Sequence, residues 1–243
     1  MNAAKQAENT LQQHLRDNAY PGRGLVIGRM ENGSDWLIVY FIMGRSTNSR
    51  NRRFAFEGDR LWTEPVDPAL VEDPSLIIYD AMLSTGGCQL VSNGDQTRTL
   101  YEGLRAGMRF GEALAQRERE PDAPNFTPRI TGMIDFNTAE GAVRLSMLKA
   151  NPCDSALTDR YVFTPALPQP GIGYGLTTYM GDGNPLPSFS GDPLLLPLTG
   201  DGPQVLATYW DALDADNRVS LAVKQMDDTG TCTGIWIKNR HGD

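Results

Sequence analysis

Five short polar stretches, each carrying glycine, punctuate this chain and fall between pairs of brief apolar runs. They are Glu31-Asn32-Gly33-Ser34, Glu57-Gly58-Asp59, Ser84-Thr85-Gly86-Gly87, Asn137 to Gly141, and Asp227-Asp228-Thr229-Gly230. Glycine and small polar residues permit the tight reversals that join antiparallel strands. The flanking runs predict strands over 24–29 and 35–43, 54–56 and 61–63, 76–82 and 88–91, 129–136 and 142–148, and 219–225 and 233–238. A chain punctuated in this way is committed to hairpins, with any helices set apart from them. That pattern is an α+β layered fold.

Helical spacing is confined to three places. Residues 4 to 18 form a polar amphipathic helix with Ala7, Leu11 and Leu15 at intervals of four. Residues 97 to 120 carry Leu100, Leu104 and Met108 on one stripe, but Gly107 and Gly111 weaken the middle, which predicts two helices or one kinked helix. A short helix is expected over 205–213, after Gly202-Pro203. Residues 65–74 read as a loop, and 165–203 as loop-rich apart from a strand near 173–178. No repeat or low-complexity linker divides the 243 residues, so one domain over 1–243 is expected.

Several function classes are disfavoured by composition. The longest apolar run, Trp36 to Met43, is too short to span a bilayer, and Met1 to Gln6 carry no apolar signal-peptide core. The expectation is a cytoplasmic protein with no membrane partner. A formal net charge of -8 argues against nucleic acid as a partner. Cys88, Cys153 and Cys232 are odd in number and widely spaced, and His14 and His241 lie near the two ends. No metal and no cofactor are expected, and neither is a histidine-based nucleophilic site. Proton transfer then falls to carboxylates, tyrosine, lysine or water.

The cations are unevenly distributed. Of 22 lysines and arginines only Lys5, Lys149, Lys224 and Lys238 are lysine, and four arginines crowd into Arg45-Ser46-Thr47-Asn48-Ser49-Arg50-Asn51-Arg52-Arg53. Arginine's planar fork suits phosphate and polarised carbonyl oxygens. The stretch reads equally as a solvated basic turn between strands or as a small-anion pocket. A GC-rich genome would also favour arginine over lysine.

The order of further segments adds to this. Tyr20-Pro21-Gly22-Arg23-Gly24 lies upstream. Downstream come Tyr79 within Leu-Ile-Ile-Tyr-Asp, Val91-Ser92-Asn93-Gly94-Asp95, Glu120 to Ile130, and Thr178 to Pro187. This ordered set resembles the archaeal-type IMP cyclohydrolases, from about Tyr20 onward. The resemblance implies a four-layer α-β-β-α sandwich like that of N-terminal-nucleophile hydrolases. Asn2 offers no such nucleophile here, and residues 1–19 form an N-terminal helical extension. It also implies reversible dehydrative ring closure of 5-formamidoimidazole-4-carboxamide ribotide to IMP, a purine nucleotide partner and a homotetramer. The alternatives are a purine-nucleotide-binding protein without catalysis and another amidohydrolase on the same fold.

The resemblance assigns Arg50, Tyr79 and Glu120 to catalysis. Arg50 would donate to the oxyanion or the carboxamide oxygen. Tyr79 would donate to the formyl oxygen, and Glu120 would act as the base or orient it. Glu118 and Asp122 stand close enough in sequence to compete with Glu120. For substrate binding the candidates are Arg23, Arg45, Ser46 and the Asn93-Gly94 backbone at the phosphate, where Gly94 is expected to take a positive φ. Asn125, Thr127 and Arg129 are assigned to ribose or base, and Asp182 and Asn184 to the site lining.

Overall fold

The computed structural model describes residues 2–71, 74–138 and 140–242. Met1, Glu72, Asp73, Ala139 and Asp243 lie outside the described residues. They fall in the expected N-terminal segment, the 65–74 loop, the 137–141 turn and the C-terminus.

The chain opens with α1 (Ala3–Thr10), which continues as a π-helical turn over Leu11–Arg16. Strands β1 (Gly24–Arg29) and β2 (Trp36–Met43) follow, then a short helix α2 (Thr47–Arg50) and the hairpin β3 (Arg53–Glu57) and β4 (Arg60–Glu64). A 3-10 turn at Pro68–Leu70 and a short helix α3 (Pro74–Ile77) lead to β5 (Asp80–Thr85) and β6 (Cys88–Ser92). Helices α4 (Gln96–Arg105) and α5 (Phe110–Leu114) precede β7 (Arg129–Asp135), β8 (Ala142–Ala150), β9 (Thr158–Phe163), β10 (Ile172–Thr177) and β11 (Leu194–Pro197). Helix α6 (Gly202–Ala212) and the hairpin β12 (Arg218–Met226) and β13 (Cys232–Asn239) complete the order.

The strands form two antiparallel sheets, six strands in the order β11-β10-β1-β2-β12-β13 and seven in the order β3 to β9. Their facing sides enclose one core. Ile38, Tyr40 and Ile42 of β2 meet Phe54, Leu61, Met82, Val91 and Leu145 of the second sheet there. The alternate residues of β2, Leu37, Val39, Phe41 and Met43, pack outward under Leu11 and Leu15 of the N-terminal segment and Val205 and Tyr209 of α6. Successive strand side chains point to opposite faces. A strand covered on both sides must therefore be apolar at every position, and this explains the unbroken run Trp36 to Met43. On the far side of the second sheet, Leu83 and Leu90 pack under Leu100, Phe110 and Leu114 of α4 and α5. The result is an α+β sandwich of two antiparallel sheets with helices on both outer faces.

All five expected hairpins form, and the 97–120 stretch breaks into two helices at Gly107, whose φ is +81°. The stretch ends as helix at Leu114, short of Glu120. Residues 76–82 are not one strand. Proline is suited to a first helical turn, and Pro74 opens α3, which leaves Tyr79 just ahead of β5. Strands β9 and β11 were not expected.

Tight turns and long connections separate by end. The turns at 58–59, 86–87 and 230–231 meet at one end of the sandwich. Connections 17–23, 44–52, 93–128 and 178–193 gather at the other. The conformationally free loops carry nearly all of the candidate residues.

Candidate functional site

Four of these long connections enclose a cavity of ≈ 240 Å³. Tyr20 and Arg23 enter from the segment before β1. Arg45, Ser46, Ser49 and Arg52 come from the β2–β3 connection, Asp122, Asn125 and Thr127 from the connection before β7, and Tyr179 and Leu186 from the one after β10. A larger concavity of ≈ 670 Å³ lies at the tight-turn end, lined by Asp59, Cys88 and Cys232 among others. The smaller cavity is the better candidate because its walls hold buried charges with unused hydrogen-bonding capacity.

Two guanidiniums define it. Arg52 is 1 % exposed; its Nε donates to the Ser49 carbonyl at 3.0 Å, while its Nη1 has no partner among the described residues. Arg23, 12 % exposed at its side chain, places Nη1 3.7 Å from Glu120 Oε2, and its Nε is likewise unpartnered. A buried donor left unsatisfied costs about 1–3 kcal/mol, more when charged. Both groups are thus set to donate to a ligand oxygen. Burial, then the charge of Arg23, pulls the Arg52 guanidinium below the usual arginine value. Burial alone would lower Arg23 too, but Glu120 and the phenols of Tyr79, Tyr179 and Tyr20 more than offset it and hold it above that value.

Glu120 is 3 % exposed, and its backbone N–H donates to the Thr127 carbonyl at 3.0 Å. Burial raises its carboxyl above the usual glutamate range, outweighing the opposing pull of Arg23 and Arg129. Its two competitors are paired with other groups, although Asp122 also lines the cavity. Glu118 is exposed and paired with Arg160. Asp122 accepts from the Thr127 N–H at 2.7 Å and from the Thr127 hydroxyl.

Tyr20 and Tyr179 line the cavity, and Tyr79 is not among the lining residues. Tyr79, 5 % exposed, hydrogen-bonds through its hydroxyl to that of Tyr40 at 2.7 Å. Tyr179 meets the Thr127 hydroxyl at 2.6 Å and stacks on Tyr20, their centroids 6.0 Å apart. The Arg45 guanidinium lies 5.0 Å from the Tyr20 ring centre; it pairs with Asp182 and donates to the Gly183 carbonyl at 3.0 Å. Ser46 and Ser49 cap α2 reciprocally, Ser46 Oγ accepting from the Ser49 N–H at 3.1 Å. Asn125 Oδ1 accepts from the Leu186 N–H at 3.0 Å, tying two of the loops together.

Several expected residues do not reach the cavity. Arg50 turns away: its Nε donates to the Gly44 carbonyl at 2.8 Å and its Nη2 to Asn217 Oδ1 at 3.1 Å. It fastens the β2–β3 connection to the start of β12, and Arg52 lines the cavity instead. The signal for Arg52 was period-two alternation, because Phe54 points into the inter-sheet core and Arg52, two residues earlier, shares its direction. The Asn93 side chain is turned to the backbone, accepting from the Ile130 N–H at 2.8 Å and donating to the Pro128 carbonyl at 2.9 Å. Gly94 is not among the glycines with positive φ. Its missing side chain gives room to Arg129, since a Cβ there would lie 2.7 Å from Arg129 Nη1. Arg129 is held by Asp95 at 2.8 Å and by the Glu118 carbonyl at 2.9 Å, so it braces the connection that carries Glu120 against the start of β7. Tyr79, Glu120, Asp182 and Asn184 are also absent from the cavity lining. Tyr20, Ser49, Arg52 and Tyr179 were not expected as site residues, although each lies in a stretch that carries the family resemblance.

The family model of IMP cyclohydrolase-like proteins matches residues 20–230. This chain belongs to that family. An IMP cyclohydrolase of Methanopyrus kandleri is 28% identical over 123 residues, which cover 49% of this chain and 60% of the relative. The match begins at Tyr20, the first residue lining the cavity, and takes in every residue that lines it. The helical segment before it lies outside the family's common portion. Among the described residues no helix is long and apolar enough to cross a membrane.

Proposed function

We propose that this chain is an IMP cyclohydrolase that closes 5-formamidoimidazole-4-carboxamide ribotide to IMP, reversibly. The observation that carries this is the pair of buried, under-satisfied guanidiniums of Arg23 and Arg52 set against the buried carboxyl of Glu120. Ring closure forms a bond from the carboxamide nitrogen to the formyl carbon. Water then leaves, built from the formyl oxygen, one carboxamide proton and the formamide N–H proton. Glu120 takes the carboxamide proton, and its raised pKa makes it a stronger base than an ordinary glutamate. Arg52, with Arg23, receives the charge that develops on the formyl oxygen, the role the family resemblance assigned to Arg50. Tyr79 donates to the same oxygen as it leaves.

The 5′-phosphate lies at the half-exposed rim, where Arg45 exchanges Asp182 for it. A volume of ≈ 240 Å³ falls below the ~300–1,000 Å³ of most ligand sites, so the cavity takes the reacting heterocycle and leaves the ribose phosphate toward the rim. Asn125 and Thr127 lie between. The wider reading is a purine-biosynthetic enzyme of the cytoplasm with one domain over 1–243 and a homo-oligomeric assembly. Its sandwich would be of the N-terminal-nucleophile hydrolase kind, with that chemistry replaced by the arginine, tyrosine and glutamate set.

The test is direct. Purified protein is mixed with the formylated ribotide and IMP formation is followed by absorbance. A rate no greater than the spontaneous one sinks the proposal. Thermal stabilisation by IMP without turnover would leave a binding protein in its place.

A further inference from the structure

We propose that Tyr40 is a positioning residue that fixes the direction of the Tyr79 hydroxyl proton; this rests on the cyclohydrolase reading above. Tyr40 sits mid-way along β2, in register with Leu25 of β1 and Ala222 of β12, and is 0 % exposed. Among the described residues the only hydrogen-bond partner of its hydroxyl is the Tyr79 hydroxyl, at 2.7 Å. Two hydroxyls share that bond, and either could donate.

Burial decides between the two arrangements. If Tyr79 donated, the Tyr40 proton would be stranded in the core with no acceptor, an arrangement that buried polar groups avoid. If Tyr40 donates, its proton is satisfied and the Tyr79 proton stays available. Tyr79 is the less buried of the two and stands near enough to Arg23 and Arg52, two of the cavity's three arginines, to interact electrostatically with both. Guanidiniums cannot accept a hydrogen bond. The free proton of Tyr79 therefore has no acceptor among them and is available to a ligand oxygen. Burial, then Tyr79 itself, pushes the Tyr40 phenol well above its usual value, which keeps Tyr40 a donor throughout the working pH range. Tyr40 touches no substrate in this scheme; it acts by making Tyr79 a donor.

The proposal separates this role from packing in two measurements. Steady-state kinetics of Tyr40→Phe, Tyr79→Phe and the double variant are compared with IMP affinity. Tyr40→Phe should lower kcat by about tenfold or more while IMP affinity stays within about threefold, and the double variant should be no slower than Tyr79→Phe, because the two act as a unit. Thermal unfolding supplies a readout free of activity. Tyr79→Phe strands the Tyr40 hydroxyl, so its Tm should lie below that of the double variant by about 2–4 °C. Wild-type turnover in Tyr40→Phe, with an active parent, overturns the role of Tyr40 and leaves the function standing. So does a Tyr79→Phe variant as stable as the double variant. A parent with no cyclisation activity overturns the function, and the positioning role falls with it.

Discussion

Arg50 and Arg52 are two positions apart, carry the same charge and differ in everything that matters to a ligand. Arg50 spends its donors on Gly44 and Asn217, and Arg52 keeps one unused inside the cavity. Replacing the planar fork by a point charge tests each in turn. Arg52→Lys should lower kcat by on the order of 10²-fold, as the loss of an oxyanion donor does. Arg50→Lys should leave kcat within a few-fold and lower Tm instead. Equal kcat losses in both would remove Arg52 from the site. Glu120 gives a second prediction at this scale. A base must be ionised to act, and burial holds this carboxyl above the ordinary 4.5. The rate should thus fall on acidification at a pH above that of an ordinary glutamate. Glu120→Gln should lose about 10²–10⁴ in kcat and also lose that acid limb. A wild-type acid limb retained in Glu120→Gln would pass the role to another group. No residue type distinguishes four clustered arginines in a sequence; the alternation from Phe54 does, but only once β3 and the direction of its core face are known. Tyr40 was legible as a core residue of β2 and illegible as a partner of Tyr79, because that contact joins two sheets across 39 positions.

At the scale of elements, hairpins were legible because each is local: turn and strands are neighbours in sequence. The strands that escaped notice are short edges. β9 is largely exposed and mixes charged with apolar residues, and β11 has four residues and ends in Pro197, which cannot donate to a ladder. Neither offers a hydrophobic period to read. The loop after β10 was placed correctly as irregular, yet its mechanical role comes from contacts remote in sequence. Asp182 pairs with Arg45, and both side chains are more than a third exposed, at 54% and 37%. Such a pair contributes at most about 1 kcal/mol. It also occupies the guanidinium assigned to the phosphate. Asp182→Asn should therefore tighten IMP binding by up to about fivefold, whereas Arg45→Ala should weaken it. Isothermal titration of both variants checks this, and weaker binding in Asp182→Asn would show that the loop, not the arginine alone, holds the ligand.

Over the whole molecule, the segment before Tyr20 is built into the outer layer of the six-stranded sheet. Ala7, Leu11 and Leu15 are buried there, and His14 Nε2 lies 2.8 Å from Thr177 Oγ1 at the end of β10. That threonine in turn donates to the Tyr179 carbonyl at 3.0 Å, so the segment reaches the backbone of a cavity residue. Read from the sequence alone, His14 was a peripheral histidine; in the fold it is 9 % exposed and packs edge-on to Phe189. Burial lowers its pKa below the ordinary 6.5. The unfolded chain then takes up this proton at a higher pH than the folded one. Stability from this group is complete above 6.5 and is lost as pH falls from there through the folded value. Glu120 works in the opposite sense, since its raised pKa costs stability as pH rises from 4.5 through its folded value. His14→Gln keeps a donor for Thr177 and removes the titration. Its Tm should fall less than that of the parent between pH 7.5 and pH 5.5, values chosen to span about one unit either side of an unperturbed histidine. Thermal scans of the two proteins at both pH values decide it: parallel losses would mean that the N-terminal segment does not titrate through His14.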